Sequence, residues 1–193
     1  MTERIALFPL GTVLFPQGVL PLRIFETRYV DMIRRVMREQ SGFGVVLIRE
    51  GAEVGPIGSL APVGTFARIV DFDAMPDGLL KIVARGERRF RIIKGDIQKD
   101  GLHLADVEWL PDESAQLADD EYPALRATLA QVLADLGDED YPAGEPDFND
   151  ASWVAGHLGQ LLPSPNRFRQ RVLEADSVKS RLDLLESVLA GRD

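Results

Sequence analysis

The residue types that most often carry catalysis or bind metals are scarce in this sequence. It contains no cysteine, which excludes thiolate nucleophiles, thiolate metal sites and disulfide bonds. The two histidines, His103 and His157, lie far apart on different predicted elements, so neither has an identifiable partner for a catalytic triad or a zinc site. We interpret His103 as an exposed strand position and His157 as a partly buried packing residue of a helix.

Motifs for nucleotide binding and serine catalysis are also absent from the sequence. Neither the phosphate-binding loop G-x-x-x-x-G-K-[ST] nor the nucleophile motif G-x-S-x-G occurs. Two acidic runs, at 112–121 and 135–150, lack the ligand spacing of a calcium loop, and we interpret them as solvated linkers. We therefore expect no enzymatic activity, no cofactor and no metal site.

Phosphate binding by a basic strand is a second chemistry open to this sequence. The basic cluster consists of Arg85, Arg88, Arg89, Arg91 and Lys94. Such a cluster can neutralise nucleic-acid phosphates. However, Glu87 interrupts it, apolar residues alternate with it, and the chain has a net charge of −9. Because arginines on the wet face of a half-buried strand explain the same pattern, RNA binding is the alternative prediction and a nucleic-acid partner is not favoured.

The segment 5–29 is dense in large apolar residues and is interrupted by prolines at positions 9, 16 and 21. Proline removes a backbone donor and favours extended geometry in the residue before it. We therefore predict short extended pieces here, not a helix. At roughly 1.5–3 kcal/mol for each large side chain buried, this segment is expected to anchor the first part of the fold.

Hydrophobic periodicity predicts one early helix, then strands, then further helices. The helix is predicted over 26–40, and strands are predicted at 43–49, 64–73, 79–85, 88–97 and 102–109, with a turn at 75–78. One helix among several strands indicates a strongly curved sheet or partly closed barrel. Beyond 112 the period is helical, with Asp150 and Ser164 as predicted caps and Gly137 as a predicted stop, which indicates a small antiparallel bundle.

The fold class predicted from these elements is α+β, with a β domain over 1–112 and a helical domain over 113–193. Charge supports the division: the first part has 15 Lys+Arg and 15 Asp+Glu, and the second has 7 and 16. No basic segment followed by an unbroken apolar one opens the chain, and no apolar run approaches the ~20 residues that span a bilayer. We expect a cytoplasmic protein without a membrane partner.

Four motifs in order point to a known family. They are FPLGTVLFPQGVLPLRIFETRY at 8–29, FGVVLI at 43–48, VGTFARI at 63–69 and GERRFRI at 86–92. Together they resemble the amino-terminal, substrate-binding domain of Lon proteases over nearly the whole chain. The resemblance implies a PUA-like pseudo-barrel for the β domain. A full Lon protease would continue into ATPase and protease domains, so we expect a free-standing, ATP-independent module.

The resemblance also implies a noncatalytic module that recognises unfolded or exposed protein segments, as an adaptor or chaperone-like binder with a protease or chaperone as a further partner. Apolar loops such as 15–22 would supply a peptide-binding patch. The predicted contacts are Phe15, Val19, Leu20 and Arg23, with Met32 and Met37 as adaptable contacts if the first helix lines the groove. A small-molecule pocket between barrel and bundle, and the oligomeric state, stay open.

Overall fold

The computed structural model describes residues 2–53, 57–75, 79–111, 115–118 and 120–191. These residues form seven strands and five helices. The strands are β1 (Thr2–Leu10), β2 (Val19–Ile24), β3 (Phe43–Gly51), β4 (Ile57–Leu60), β5 (Val63–Ala74), β6 (Leu80–Ile97) and β7 (His103–Trp109). The helices are α1 (Thr27–Arg38), α2 (Pro123–Asp140), α3 (Ala151–Leu161), α4 (Asn166–Glu174) and α5 (Val178–Leu189).

The strands form one mixed sheet whose two sides meet. Its order is β1-β7-β6-β5-β3-β4, and β2 adds to β6. β1 also pairs in parallel with β3, from Leu7 opposite Gly44 to Leu10 opposite Leu47. This pairing closes β1, β7, β6, β5 and β3 into a ring. The predicted α+β class is confirmed.

β6 is one strand of 18 residues, so the prediction of separate strands at 79–85 and 88–97 was wrong. Gly86 lies at the predicted break, where it allows a close backbone contact. A Cβ at this position would lie 2.1 Å from the Phe15 carbonyl oxygen. The Gly86 N–H donates to Gly18 O, and the Gln17 N–H donates to Gly86 O, both at 2.9 Å. Pairing with the 15–18 loop thus keeps the strand continuous through the glycine.

Two apolar clusters hold the fold together. One packs α1 onto the sheet and includes Phe8, Ile33 and Phe43. The other is shared by the strands and the carboxyl-terminal helices, with Phe90 of β6 and Leu158 of α3 among its members. The predicted boundary between residues 112 and 113 lies outside the described residues, and side chains from both sides of it occupy this second cluster.

Sequence signals at the helix ends have mixed outcomes. The Asp150 carboxylate caps α3 as predicted, accepting from the Ser152 N–H at 2.8 Å. Gly137 has φ 72 and interrupts the helical geometry of α2, as its predicted role as a stop requires. The cap predicted at Ser164 was wrong, because Pro165 is the residue before α4 and the Ser164 hydroxyl donates to Leu162 O. The predicted turn at 75–78 falls largely outside the described residues.

Helix α3 packs closely against the loop that follows β1. A Cβ at Gly156 would lie 1.9 Å from the Pro16 carbonyl oxygen, and a Cβ at Gly159 would lie 2.7 Å from the Phe15 ring. Because neither glycine has a side chain, the loop can pack directly against the backbone of α3. The Arg169 guanidinium reinforces the contact by donating to carbonyls of this loop and of α3.

Candidate functional site

Exposed apolar residues concentrate at one end of the sheet. The exposed large hydrophobic residues of the described chain are Phe25, Val70, Phe72, Met75, Ile93, Ile97, Leu136 and Leu189. The first four lie on, or directly after, two strands of a three-stranded extension. We call this extension the distal ribbon; it comprises β2, residues 68–74 of β5 and residues 80–85 of β6. Exposed apolar patches of this kind are typical of interaction sites.

A β-bulge at Val70 shifts the register of β5 against β6 within this patch. Ile69 pairs with Ala84 of β6 and Asp71 pairs with Val83, so Val70 is the extra residue between them and is 50% exposed. After the bulge, Phe72 pairs with Ile82 of β6, which is buried, whereas Phe72 itself is 57% exposed. Bulges are frequent next to functional sites.

A groove of about 480 Å³ runs between α1 and β5. Its lining residues come from the end of α1 and the bulged part of β5: Val36, Met37, Gln40, Ser41, Arg68, Ile69, Val70, Asp71 and Phe72. Its wall is mostly apolar, with Arg68 and Asp71 contributing opposite charges. The Arg68 side chain donates to Gln40 O at 2.8 Å and forms an ion pair with Glu87 at 2.7 Å. These contacts hold the helix end and the strand at a fixed separation.

The outer edge of β5 is open along this groove. Residues 68–74 pair with β6 on one side. β3 pairs with β5 only from Thr65 to Ala67, so no strand of the described chain covers the other side of 68–74. A sheet edge of this kind presents backbone donors and acceptors to an incoming strand. The site therefore combines an open edge with an apolar groove.

The predicted peptide contacts have different places in the structure. Met37 lines the groove. Leu20 is half-buried and packs on the core beneath α1. Arg23 is exposed and lines a separate cavity of about 190 Å³ beside Phe25.

Phe15, Val19 and Met32 were wrong as surface contacts, because each is at most 2% exposed. Phe15 lies against α3, as described above. The Val19 N–H donates to the Tyr141 hydroxyl at 3.2 Å, which places this residue under the helical part of the chain. Met32 faces the sheet from α1. All three were chosen from the composition of an apolar segment, which does not separate core from surface.

The groove residues that the sequence analysis missed are Ile69, Val70 and Phe72. Their signal was the alternation in Val70-Asp71-Phe72-Asp73, which places apolar side chains opposite carboxylates at the end of a strand. We predicted a strand there and gave its apolar side chains no binding role. The bulge at Val70 leaves no mark in this alternation.

The structure divides the predicted basic cluster. Arg91 and Lys94 are exposed, whereas Arg85 and Arg89 donate to main-chain carbonyls of the helical part. The Arg88 guanidinium lies over the Trp109 ring, 3.7 Å from its centroid. No continuous basic stripe results. RNA binding stays an alternative prediction.

The two histidines lie on different elements, and neither matches its predicted exposure. His103 on β7 is half-buried, and burial, followed by the charge of Arg28, lowers its pKa. His157 on α3 is fully buried, with Nδ1 2.9 Å from the Tyr141 hydroxyl oxygen. Burial, followed by the charge of Arg85, lowers the pKa of His157 to about 4. Burial also raises the pKa of Tyr141 to about 12, so both groups are neutral at pH 7.

The described part of the chain contains neither a group of metal-binding side chains nor a helix suited to spanning a membrane. No three or more His, Asp or Glu side chains there are grouped as metal ligands would be. None of the described helices combines the length and apolarity needed to cross a bilayer.

Comparison with known proteins gives a consistent result. Residues 4–191 match the family described as "ATP-dependent protease La (LON) substrate-binding domain". The chain is 28% identical to a Lon protease of Anaeromyxobacter dehalogenans and to Lon protease 2 of Myxococcus xanthus, over 93% of its own length in both cases. It spans 22% of the length of each of these relatives.

Two solved structures resemble the chain over nearly all of its length. A Lon N-terminal domain protein from Xanthomonas campestris is 35% identical, with a TM-score of 0.76 and coverage of 97% of this chain and 98% of that one. The N-terminal domain of Lon protease from the Mycobacterium avium complex has a TM-score of 0.65 with the same coverages. Its identity of 21% supports a shared fold alone.

Proposed function

Because this chain belongs to the Lon substrate-binding domain family, we propose that it is a noncatalytic module that binds exposed apolar segments of other proteins in the groove between α1 and β5. The observation that carries the proposal is that the open edge of β5 lies beside the exposed side chains of Val70 and Phe72. An unfolded segment offers the complementary groups, namely free backbone amides and apolar side chains.

In this arrangement the client segment adds as a strand along residues 68–74 of β5. Its backbone bonds to the open edge and gives affinity for many sequences, because backbone groups are common to all of them. Alternate side chains of an added strand point to one face. Those on the groove side contact Met37, Val70 and Phe72, and Met37 can adapt to different shapes because its side chain is unbranched.

The wider role that we propose follows the sequence analysis. The module acts as an adaptor or chaperone-like binder without ATP, in the cytoplasm, and passes clients to a protease or chaperone. We also propose that the ring of strands is a PUA-like pseudo-barrel and that the carboxyl-terminal helices form a bundle. The two domains of this proposal are residues 1–112 and 113–193. The closed pairing of five strands supports the PUA-like pseudo-barrel.

Binding of a labelled unfolded polypeptide tests this function. Reduced, carboxymethylated α-lactalbumin is titrated with the protein, and fluorescence anisotropy gives the dissociation constant. Removing one buried apolar side chain costs roughly 1.5–3 kcal/mol, or about 10- to 100-fold in affinity. We expect Phe72→Asp and Val70→Asp each to weaken the affinity by at least about 10-fold.

Ile93→Asp is the matched control. Ile93 is 54% exposed, lies between paired positions of β6 and β7 where the register shifts, and is absent from the groove. It therefore reproduces the exposure and strand setting of Val70 at a different place. Equal loss of binding in Ile93→Asp and Val70→Asp, or no loss in either, contradicts the proposed groove.

A further inference from the structure

The distal ribbon has two outer edges, and that of β5 is the better suited to take up another strand. The other edge is β2, which pairs with β6 on its inner side. Pro21 lies within β2 and has no N–H to donate to an added strand. The Val19 N–H of β2 already donates to the Tyr141 hydroxyl at 3.2 Å. Residues 68–74 of β5 contain no proline, so all their backbone donors are present.

The two faces of the β5 edge differ in chemical character. Residues paired across antiparallel strands share a face. Phe72 pairs with Ile82, which is fully buried among the apolar residues that pack α1 onto the sheet. Asp71 and Asp73 flank Phe72, and alternation along a strand directs them to the opposite face. The edge therefore presents an apolar side chain on the α1 face and two carboxylates on the other.

Both carboxylates are open to a partner. Asp71 and Asp73 are exposed, and neither forms an ion pair with another described residue. The Asp71 carboxylate accepts the N–H of Phe72 at 2.9 Å, and this neutral donor leaves its negative charge in place. Asp71 pairs across the ribbon with Val83, which is apolar. Asp71 also contributes to the lining of the groove.

The cations of the ribbon either lie farther from the edge or are already paired. Lys81 lies one strand inward from Asp73, and Arg23 lies one strand inward again, on β2. Neighbouring strands are about 4.8 Å apart, so the backbones of these cations lie roughly 5 and 10 Å behind that of Asp73. Arg68 forms an ion pair with Glu87 at 2.7 Å. A strand added at the edge therefore meets the two carboxylates first.

A second copy of this chain does not suit the same edge. We consider antiparallel pairing of two β5 edges with their apolar faces on one side. Centred on residue 71, 72 or 73, this pairing sets the carboxylates of Asp71 and Asp73 against those of the other copy. Like charges directly opposite each other destabilise a strand pair. Charged side chains are one means by which proteins prevent their edge strands from self-pairing. The edge is therefore better matched to a strand of the opposite charge.

We infer that the open edge of β5 selects segments in which apolar residues alternate with lysine or arginine, a preference that rests on the client groove proposed above. The apolar residues of such a strand lie on the α1 face beside Phe72. Its cationic residues lie opposite Asp71 and Asp73. Two cross-strand pairs of opposite charge together strengthen binding by roughly 2- to 30-fold. Acidic residues at the same positions weaken it.

Three fluorescein-labelled peptides, each as long as residues 68–74, test this preference by fluorescence anisotropy. Valine occupies alternate positions in all three, and the positions between hold lysine, threonine or glutamate. We expect the lysine peptide to bind at least about twofold more tightly than the threonine peptide, and the glutamate peptide to bind more weakly than both. The advantage of lysine should shrink as salt is added, because exposed charge pairs are screened.

Substitutions locate the preference. Asp71→Asn combined with Asp73→Asn should remove the advantage of the lysine peptide. Asp138→Asn combined with Glu139→Gln removes the same charge from exposed positions of α2 that do not line the groove, and should preserve the advantage. Equal loss in the two double variants would assign the preference to the net charge of the chain and overturn the inference.

Phe72→Ser separates failure of this preference from failure of the groove, because it changes the apolar contact and leaves both aspartates in place. If the lysine and threonine peptides bind wild type equally and Phe72→Ser weakens both, the groove stands and the charge preference is wrong. If none of the three peptides binds wild type, the groove and the preference are both wrong.

Discussion

Acid should destabilise the folded chain through His157. The Tyr141 hydroxyl accepts from the Val19 N–H at 3.2 Å, which leaves its own proton to donate to His157 Nδ1 at 2.9 Å. The neutral imidazole then carries its proton on Nε2, a buried atom without a hydrogen-bond partner in the described chain. Protonating Nδ1 would place two donors in opposition and bury a charge near Arg85. The native state therefore resists protonation, and the pKa of His157 falls to about 4.

The expected loss of stability follows from the difference between the native and unfolded pKa values. Above pH 6.5 His157 is neutral in both states. Between pH 6.5 and about 4 the unfolded chain binds a proton that the native chain does not, so the free energy of unfolding falls. Below about pH 4 both states are protonated and this loss levels off. At 1.36 kcal/mol per pKa unit, the total is about 3 kcal/mol.

Urea unfolding, followed by tryptophan fluorescence from pH 7.5 to 4, measures this loss. His157→Gln keeps an acceptor for Tyr141 and has no titrating group, so its free energy of unfolding should lose about 3 kcal/mol less over this range than wild type. His103→Gln is the control, because His103 is only half-buried and its lowered pKa should contribute less. A pH profile of His157→Gln that parallels wild type would refute the reasoning.

Two further predictions concern the contact between the first loop and α3. Phe15→Ala should lower the free energy of unfolding by about 3–5 kcal/mol in urea titrations, because the ring is 1% exposed; an unchanged free energy with weakened client binding would instead make Phe15 a surface contact. Gly156→Ala should lower the thermal midpoint strongly, since its Cβ would lie 1.9 Å from Pro16 O. Gly95→Ala, with no atom within 4 Å of its Cβ, is the control, and equal midpoints in the two variants would show that the loop moves aside without cost.

Local signals predicted the elements of this fold well, because they depend on neighbours in sequence. The apolar spacing of α1 and the cap at Asp150 act within one or two turns, and both are in the structure. Gly86 was misread as a break between two strands, because the contact that requires a glycine at this position comes from a residue distant in sequence. This glycine admits the Phe15 carbonyl oxygen, from a loop about 70 residues earlier.

The candidate site was harder to predict than the elements for a related reason. Composition marks Phe15 and Phe72 alike as apolar, yet one lies under α3 and the other faces the groove. What separates them is tertiary packing, and the bulge at Val70 likewise depends on pairing with β6. The basic cluster within 85–94 was recognised in the sequence, but its division between contacts with the helical part and exposed positions depends on where the helices meet the strands.

Hydrogen exchange of the chain with and without an unfolded client tests strand addition most directly. The account predicts slower exchange of amides within 68–74, where the open edge of β5 would gain backbone bonds. Amides of 43–47, already within the sheet, should be unaffected. Protection by the client that is absent from 68–74, or confined to another region such as 88–97, would contradict the proposed site.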